Sequence, residues 1–289
     1  MKILVTGSNG QLGNELRTLA PGYPGYSFIF TDIDELDITR EEDVDQLVKD
    51  EKPAVIINCA AYTAVDKAET DEQSAFLINA SSAGILARTA AKFNALLIHI
   101  STDYVFDGKS YLPYREDDPT NPVSRYAMSK YAGELAVQAF ASRALIIRTS
   151  WLYSEFGHNF VKTVMKYGRE RGEMKIVFDQ TGTPTYARDL AKVILEIIPQ
   201  HPDSPGVEIF HFSDEGVTSW YDFAQAIIEF TGIPCKLFPI LTTEYPLPAT
   251  RPFYSVFDKG KIKERFRLEI PFWRDSLKSC IQRIMNPEK

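Results

Sequence analysis

Tyr126 and Lys130 stand four residues apart, the spacing that puts two side chains on one face of a helix. An ammonium beside a phenol favours the phenolate, so the pair is expected to lower the tyrosine pKa from its reference of about 10 and suit it to acid–base work. Thr102 follows an apolar run from Ala95 through Ser101 and so falls at the carboxyl end of a strand. Open α/β sheets take their ligands there, and a hydroxyl at that point can hold a substrate oxygen. Thr102, Tyr126 and Lys130 are the candidate catalytic residues, and Asn79 is a candidate to orient a water behind Lys130.

A second constellation, Gly7-Ser8-Asn9-Gly10-Gln11-Leu12-Gly13, lies between a β-branched run and a helical one. Gly7 permits a tight turn, Gly10 lets the backbone approach a pyrophosphate and Gly13 allows a helix to pack closely on a sheet. The N–H groups of Asn9, Gln11 and Leu12 at the helix start suit a phosphate. The spacing is GxxGxxG, one residue longer in its first interval than the dinucleotide pattern, and the phosphate-loop pattern GxxxxGK[ST] is absent, which argues against nucleoside triphosphate hydrolysis. Asp32, at the end of the second expected strand, can accept from a ribose hydroxyl and would disfavour a 2′-phosphate, which points to NADH. Asp37, just before Ile38, competes as an adenine-side contact. Ala60, Ala61 and Tyr62 follow Cys59 at another strand end, where small alanines let a nicotinamide pass. Trp151, after Ser150, offers a flat apolar wall for a sugar ring, with core packing as the alternative.

Positioning these residues takes alternating strands and helices. Continuous apolar runs predict buried strands at Lys2–Thr6, Ser27–Thr31, Ala54–Cys59, Ala95–Ser101 and Leu145–Ser150. Between them, helices are expected at Gln11–Leu19, Glu41–Lys49, Gln73–Phe93 and Ser124–Phe140. The pattern is that of a Rossmann-type, doubly wound parallel α/β sheet. Residues 1–150 are read as the dinucleotide-binding domain and 151–289 mainly as a smaller, mixed α/β substrate-binding lobe, with about 186–213 returning to the first domain. Pro246, Pro248 and Pro252 in the second lobe exclude a helix interior there.

The chain has 289 residues, 44% of them apolar, and a net charge of −7, so it repels nucleic acid and anionic membrane surfaces as a whole. Three scattered cysteines fit a reducing, cytoplasmic setting. No secretory apolar region follows Met1, and the longest apolar stretch, Ala54–Ala61, is interrupted by Asn58 and far short of the ~20 residues that span a bilayer. The histidines lack HExxH spacing, so no catalytic metal is expected.

TGxxGxxG after the first strand, a Thr at the fourth and a downstream YxxxK resemble the extended short-chain dehydrogenase/reductases. The stretches Asn58–Glu69, Ser101–Phe106, Arg148–Tyr153 and Ala249–Pro252 narrow the resemblance, over nearly the whole chain, to the dTDP-4-dehydrorhamnose reductase family. That resemblance implies NAD(P)H-dependent reduction of the C4 ketone of dTDP-4-dehydro-L-rhamnose to dTDP-L-rhamnose, the last step of dTDP-rhamnose synthesis. Tyr126 would protonate the alkoxide, Thr102 position it, and Lys130 bind the nicotinamide ribose. Thr63, Val65, Asp103, Tyr104 and Trp151 would line the sugar pocket, with Asn159 and Phe160 in the dTDP site. Arg251 would meet the diphosphate, since a guanidinium matches phosphate with paired donors.

By the same resemblance the coenzyme is NADPH or NADH, although Ser8 replaces a basic residue that some relatives carry. The chain is expected to be a monomer or homodimer. Some relatives dimerise through Mg²⁺ held by glutamates; Glu15 matches one such position, but the regions of Arg188-Asp189 and Arg274-Asp275 do not, so Mg²⁺ is left open and given no catalytic part. Another nucleotide-sugar dehydrogenase or epimerase is the alternative activity, and a regulatory subunit like that of methionine adenosyltransferase the non-catalytic one. The latter role needs no Tyr/Lys pair.

Overall fold

The computed structural model describes residues 1–200 and 205–286. β1 (Lys2–Thr6) runs into α1 (Gln11–Leu19), and β2 (Ser27–Thr31) into α2 (Glu41–Glu51). After β3 (Val55–Asn58) comes a helix in three parts: α3 (Glu72–Phe76), a π-helical turn at Leu77–Ser81, and α4 (Ser82–Lys92). β4 (Leu96–Thr102), α5 (Arg125–Phe140) and β5 (Arg143–Thr149) complete this half. The chain continues through β6 (Leu152–Tyr153), α6 (Phe160–Arg171), β7 (Glu173–Val177), β8 (Thr181–Gly182), β9 (Thr185–Tyr186) and α7 (Ala187–Ile197). It ends with β10 (Gly206–Phe212), β11 (Thr218–Ser219), α8 (Trp220–Thr231), β12 (Lys236–Ile240), α9 (Gly260–Phe266) and α10 (Trp273–Met285).

Six strands form one sheet in the order β10-β5-β4-β3-β1-β2, every pairing parallel. Alternate residues of each strand leave on opposite faces. Ile3, Val5, Ile57, Ile98 and Leu145 pack against Leu12 and Leu16 of α1, Leu190 and Ile194 of α7 and Ile262 of α9. Leu4, Ile56, Leu97 and Ile146 pack against Val44 and Val48 of α2, Leu86 of α4 and Val137 of α5. Both faces are covered, which is why the strands read as continuous apolar runs. A third core joins Tyr153 and Tyr186 to Val164 of α6, Phe223 of α8 and Leu277 of α10.

Three details depart from the expected elements. The single helix expected over Gln73–Phe93 is interrupted by the π-helical turn, where the Asn79 carbonyl lies so close to Gly133 of α5 that a Cβ there would overlap it. Only a glycine lets the two helices approach in this way. β5 begins at Arg143, two residues earlier than Leu145. The edge strand β10 is not among the expected strands, because Glu208 and His211 break its apolar run.

Strand order reverses at β1, which has β2 on one side and β3 on the other. The crevice beyond the carboxyl ends of β1 and β3 is where such sheets bind nucleotides.

Candidate active site

At the carboxyl end of β1, Gly7 has φ +65°, and a Cβ there would lie 2.5 Å from the Ala60 backbone beyond β3. The two strand ends therefore touch across the crevice. A Cβ on Gly13 would lie 2.5 Å from Ser8 Cα, so the helix start packs onto the turn. Gly10 caps α1 with extended backbone and offers no side-chain oxygen, and the first turn has no acidic residue. The amides of Gln11 and Leu12 thus begin an uncapped helix, and the cradle fits a phosphate group. Asn14 donates from Nδ2 to the carbonyls of Asn9 and Gly10 at 2.8 and 2.9 Å, holding the loop.

Asp32 accepts from the Asn9 N–H at 2.8 Å and from the Ile33 N–H at 2.9 Å, so its carboxylate braces the glycine turn. Asp37 accepts from both the N–H and the hydroxyl of Thr39 in its own turn, and the Ile38 side chain belongs to the core beneath.

Helix α5 is capped by Ser124, whose Oγ accepts from the Ala127 N–H at 3.2 Å. It carries Tyr126 and Lys130 to β4. The Tyr126 phenol meets the Thr102 hydroxyl, with the Tyr104 ring edge-on at 5.7 Å. Thr102 Oγ1 donates to Asp103 at 3.0 Å and accepts from the Tyr104 N–H at 3.2 Å. Burial pushes the Asp103 carboxyl up to about 6, against the hydroxyls of Ser255 and Thr102.

The expected effect of Lys130 on Tyr126 is corrected. Burial pushes the phenol up to about 12, with the Thr102 hydroxyl pulling down and the Asp103 carboxylate pushing up. Lys130 is also buried, which lowers it to about 8, and its Nζ donates to the Ile100 carbonyl at 2.6 Å. Desolvation of both groups outweighs the attraction that helical spacing suggested. Asn79 Oδ1 accepts from the Tyr62 N–H, and its Nδ2 donates to the Tyr62 carbonyl and to Ser129 Oγ, which ties it to α5 one residue before Lys130.

Val65 packs with Tyr62, Tyr104 and Tyr126, and Thr63 is exposed beside it. Arg251 Nη1 and Nη2 donate to the two oxygens of Asp66 at 2.9 and 2.7 Å, so the end of the guanidinium expected to meet a diphosphate already holds a carboxylate. Its Nε edge points to no acceptor among the described hydrogen bonds. Trp151 has φ +48°, rare for a non-glycine residue, and stacks on Trp220 with centroids 3.6 Å apart. Gly182 lies against it: a Cβ there would come within 2.7 Å of the indole. Trp220 escapes sequence reasoning, because nothing local relates residues on α8 to the end of β5.

Asn159 is an N-cap. Its Oδ1 accepts from the Lys162 N–H at 3.1 Å and its Nδ2 donates to Gln11 Oε1 at 2.9 Å and to the Ser154 carbonyl at 2.7 Å. The glycine-loop helix is thereby tied to the segment after β6. Glu15 strengthens the tie, accepting from Ser154 Oγ at 3.0 Å and pairing with Arg188 at 3.4 Å. Burial and the neighbouring Glu155 push Glu15 up to about 8. Among the described residues no group of three or more His, Cys, Asp or Glu is arranged to hold a metal.

The RmlD substrate binding domain model matches residues 1–286. A dTDP-4-dehydrorhamnose reductase of Burkholderia thailandensis is 40% identical over 99% of this chain and 100% of its own length. The chain belongs to the dTDP-4-dehydrorhamnose reductase family. Within this family, the reductase of Clostridium acetobutylicum has a crystal structure that matches with TM-score 0.93 and 43% identity, covering 99% of this chain and 100% of that one. A Bacillus anthracis dTDP-4-dehydrorhamnose reductase, solved in complex with NADP, matches with TM-score 0.92 and 39% identity over 97% of this chain and 98% of that one. Across the reductase family the fold is therefore shared over essentially the full chain. Among the described residues no helix is long and apolar enough to cross a membrane.

Proposed function

We propose that this chain reduces the C4 ketone of dTDP-4-dehydro-L-rhamnose with NAD(P)H, giving dTDP-L-rhamnose as the last step of that synthesis. The observation that supports the reading is that α5 brings Lys130 to the Ile100 carbonyl and Tyr126 to the Tyr104 ring, both at the carboxyl end of β4 where Thr102 stands. Lys130 acts electrostatically on Cys59, and Cys59 lies against Gly7. Family membership supplies the substrate class.

When bound, the reduced nicotinamide supplies the hydride. The remaining work belongs to the chain. Tyr126, a phenol that keeps its proton at neutral pH, donates it to the ketone oxygen, and the Thr102 hydroxyl orients that oxygen. Lys130 offers a buried ammonium to the ribose and to the phenolate left after proton transfer. Gly7, Asn9, Gly10, Gln11, Leu12 and Gly13 hold the pyrophosphate, with Ala60, Ala61 and Tyr62 along the crevice. Thr63, Val65, Asp103 and Tyr104 of residues 1–150 line the sugar, with Trp151 at the start of the lobe formed mainly by residues 151–289. Arg251 meets a phosphate through its Nε edge, not its Asp66-bound end.

The Asp32 charge opposes a 2′-phosphate, so NADH is accepted beside NADPH. Glu15, turned inward onto Ser154 and Arg188, cannot bridge two copies through Mg²⁺ without leaving both. The protein acts as a monomer or a dimer that needs no metal. Three free thiols suit a reducing cytoplasm.

The deciding experiment incubates the protein with dTDP-4-dehydro-L-rhamnose and each coenzyme, follows loss of nicotinamide absorbance and identifies the sugar. One coenzyme oxidised per dTDP-L-rhamnose formed is expected. Sugar isomerised without net coenzyme oxidation would make the protein an epimerase and refute the reading.

A further inference from the structure

Three residues of α5 one turn apart face three consecutive residues of β4. The Tyr126 phenol meets the Thr102 hydroxyl, Lys130 Nζ donates to the Ile100 carbonyl at 2.6 Å, and Ser101 Oγ donates to Glu134 Oε1 at 2.5 Å. Glu134 has no exposed surface, and the proposed chemistry does not use it. Arg148 of β5 closes on its carboxylate, Nε donating to Oε1 at 2.9 Å and Nη2 to Oε2 at 2.8 Å. Arg148 is buried in turn, with the Phe106 ring 5.2 Å from its Cζ and the Glu116 carbonyl and His211 ring at Nη1.

A buried ion pair of this kind gives little stability over well-packed apolar residues, because both ions are stripped of water. Its place one turn beyond Lys130 offers a different reason. Among the groups that act on Lys130, Glu134 from α5 is the leading one that favours its charge and burial opposes it, while burial keeps the nearby Cys59 thiol protonated and uncharged. His99 of β4, also beside Lys130, is kept neutral by burial. Tyr126 holds its proton.

We propose that Glu134 is a positioning residue for the reduction: clamped between Ser101 and Arg148, its carboxylate keeps the Lys130 ammonium charged and fixes α5 against β4. The proposal rests on the role given to Lys130 above.

The test compares Glu134→Gln, Arg148→Met and the double variant with the unaltered protein. Two readouts are taken across pH: NADPH binding without sugar, followed by protein fluorescence, and kcat/KM for the ketosugar. In the unaltered protein both fall as pH rises and Lys130 loses its proton. In the double variant the falling limb moves to lower pH by about one unit or more, the scale expected for loss of a close opposite charge. Glu134→Gln moves it at least as far, since Arg148 is left unopposed. Arg148→Met keeps the carboxylate and leaves the limb in place or moves it to higher pH. Glu134→Gln strands a buried cation, so if it does not fold, the double variant, which removes both charges, decides. A folded double variant whose binding limb stays where the unaltered protein's lies overturns the proposal. Binding is read without turnover, so a protein that binds NADPH yet fails to reduce the ketosugar would refute the assigned activity and still leave Glu134 judged.

Discussion

Replacing Trp220 with Ala tests how the sugar wall is built. The substitution removes a ring stacked on Trp151 at 3.6 Å and tilted against Phe160 at 4.7 Å. A fully buried Trp cut to Ala costs ~3–5 kcal/mol, and Trp220 is half-buried, so about 2 kcal/mol of stability should go. In a chain of this size that lowers Tm by roughly 3 °C. The larger consequence is local. Trp151 holds a left-handed backbone conformation whose strain is ~1–2 kcal/mol, and such a residue stays put only while its packing dictates it. Without its partner ring the indole relaxes, and a sugar that leans on it loses about 1.4 kcal/mol, a tenfold rise in KM with kcat little changed. Two stacked indoles also produce a coupled circular-dichroism signal, which the lone Trp273 cannot supply. The assay pairs that signal with steady-state kinetics and a thermal melt. A folded variant that has lost the coupled signal but keeps its KM would show that Trp151 does not form the sugar wall.

Tyr126→Phe should bind NADPH as before while turnover drops by ~10²–10⁴, and unchanged turnover would remove the phenol from the chemistry. Asp32→Asn keeps an oxygen to accept from Asn9 but discards the charge; the NADPH-to-NADH ratio of kcat/KM should rise about tenfold at low salt and less at high salt. Glu15 carries an extra proton in the fold from the ordinary glutamate range up to about 8, so raising pH through that window should lower Tm. Glu15→Gln should flatten that slope, and an unchanged slope would place the proton elsewhere. Arg251→Lys should raise KM for the dTDP-sugar more than for the coenzyme, because an ammonium cannot hold Asp66 end-on and still present a second donor edge.

What local sequence carries, it carries well. The glycine turn is legible because its residues serve one short strand–turn–helix, and the Tyr126/Lys130 pair because helical spacing places both on one face. Family membership follows from the same stretches. Long-range relations are another matter. The Arg251 fork is filled by Asp66, distant along the chain, and Trp151 finds its partner on α8. Spacing also says nothing about desolvation, which reverses the expected shift of Tyr126. The helix break at Leu77–Ser81 depends on how closely Gly133 admits a neighbouring carbonyl, and a periodic apolar pattern runs through it unmarked.

The edge strand β10 pairs with β5 along its whole length, yet it arrives only after α6, α7 and the small strands between them. On the ribosome, the flank of β5 must therefore wait, with its edge unpaired, until Phe212 has emerged. A nascent chain halted soon after Thr149 would present a bare, apolar sheet margin, the kind of surface on which polypeptides stick to one another. Safe passage through synthesis thus depends on the far lobe being made promptly, and a slow stretch of codons in that interval would be felt as lost yield before it was felt as lost catalysis.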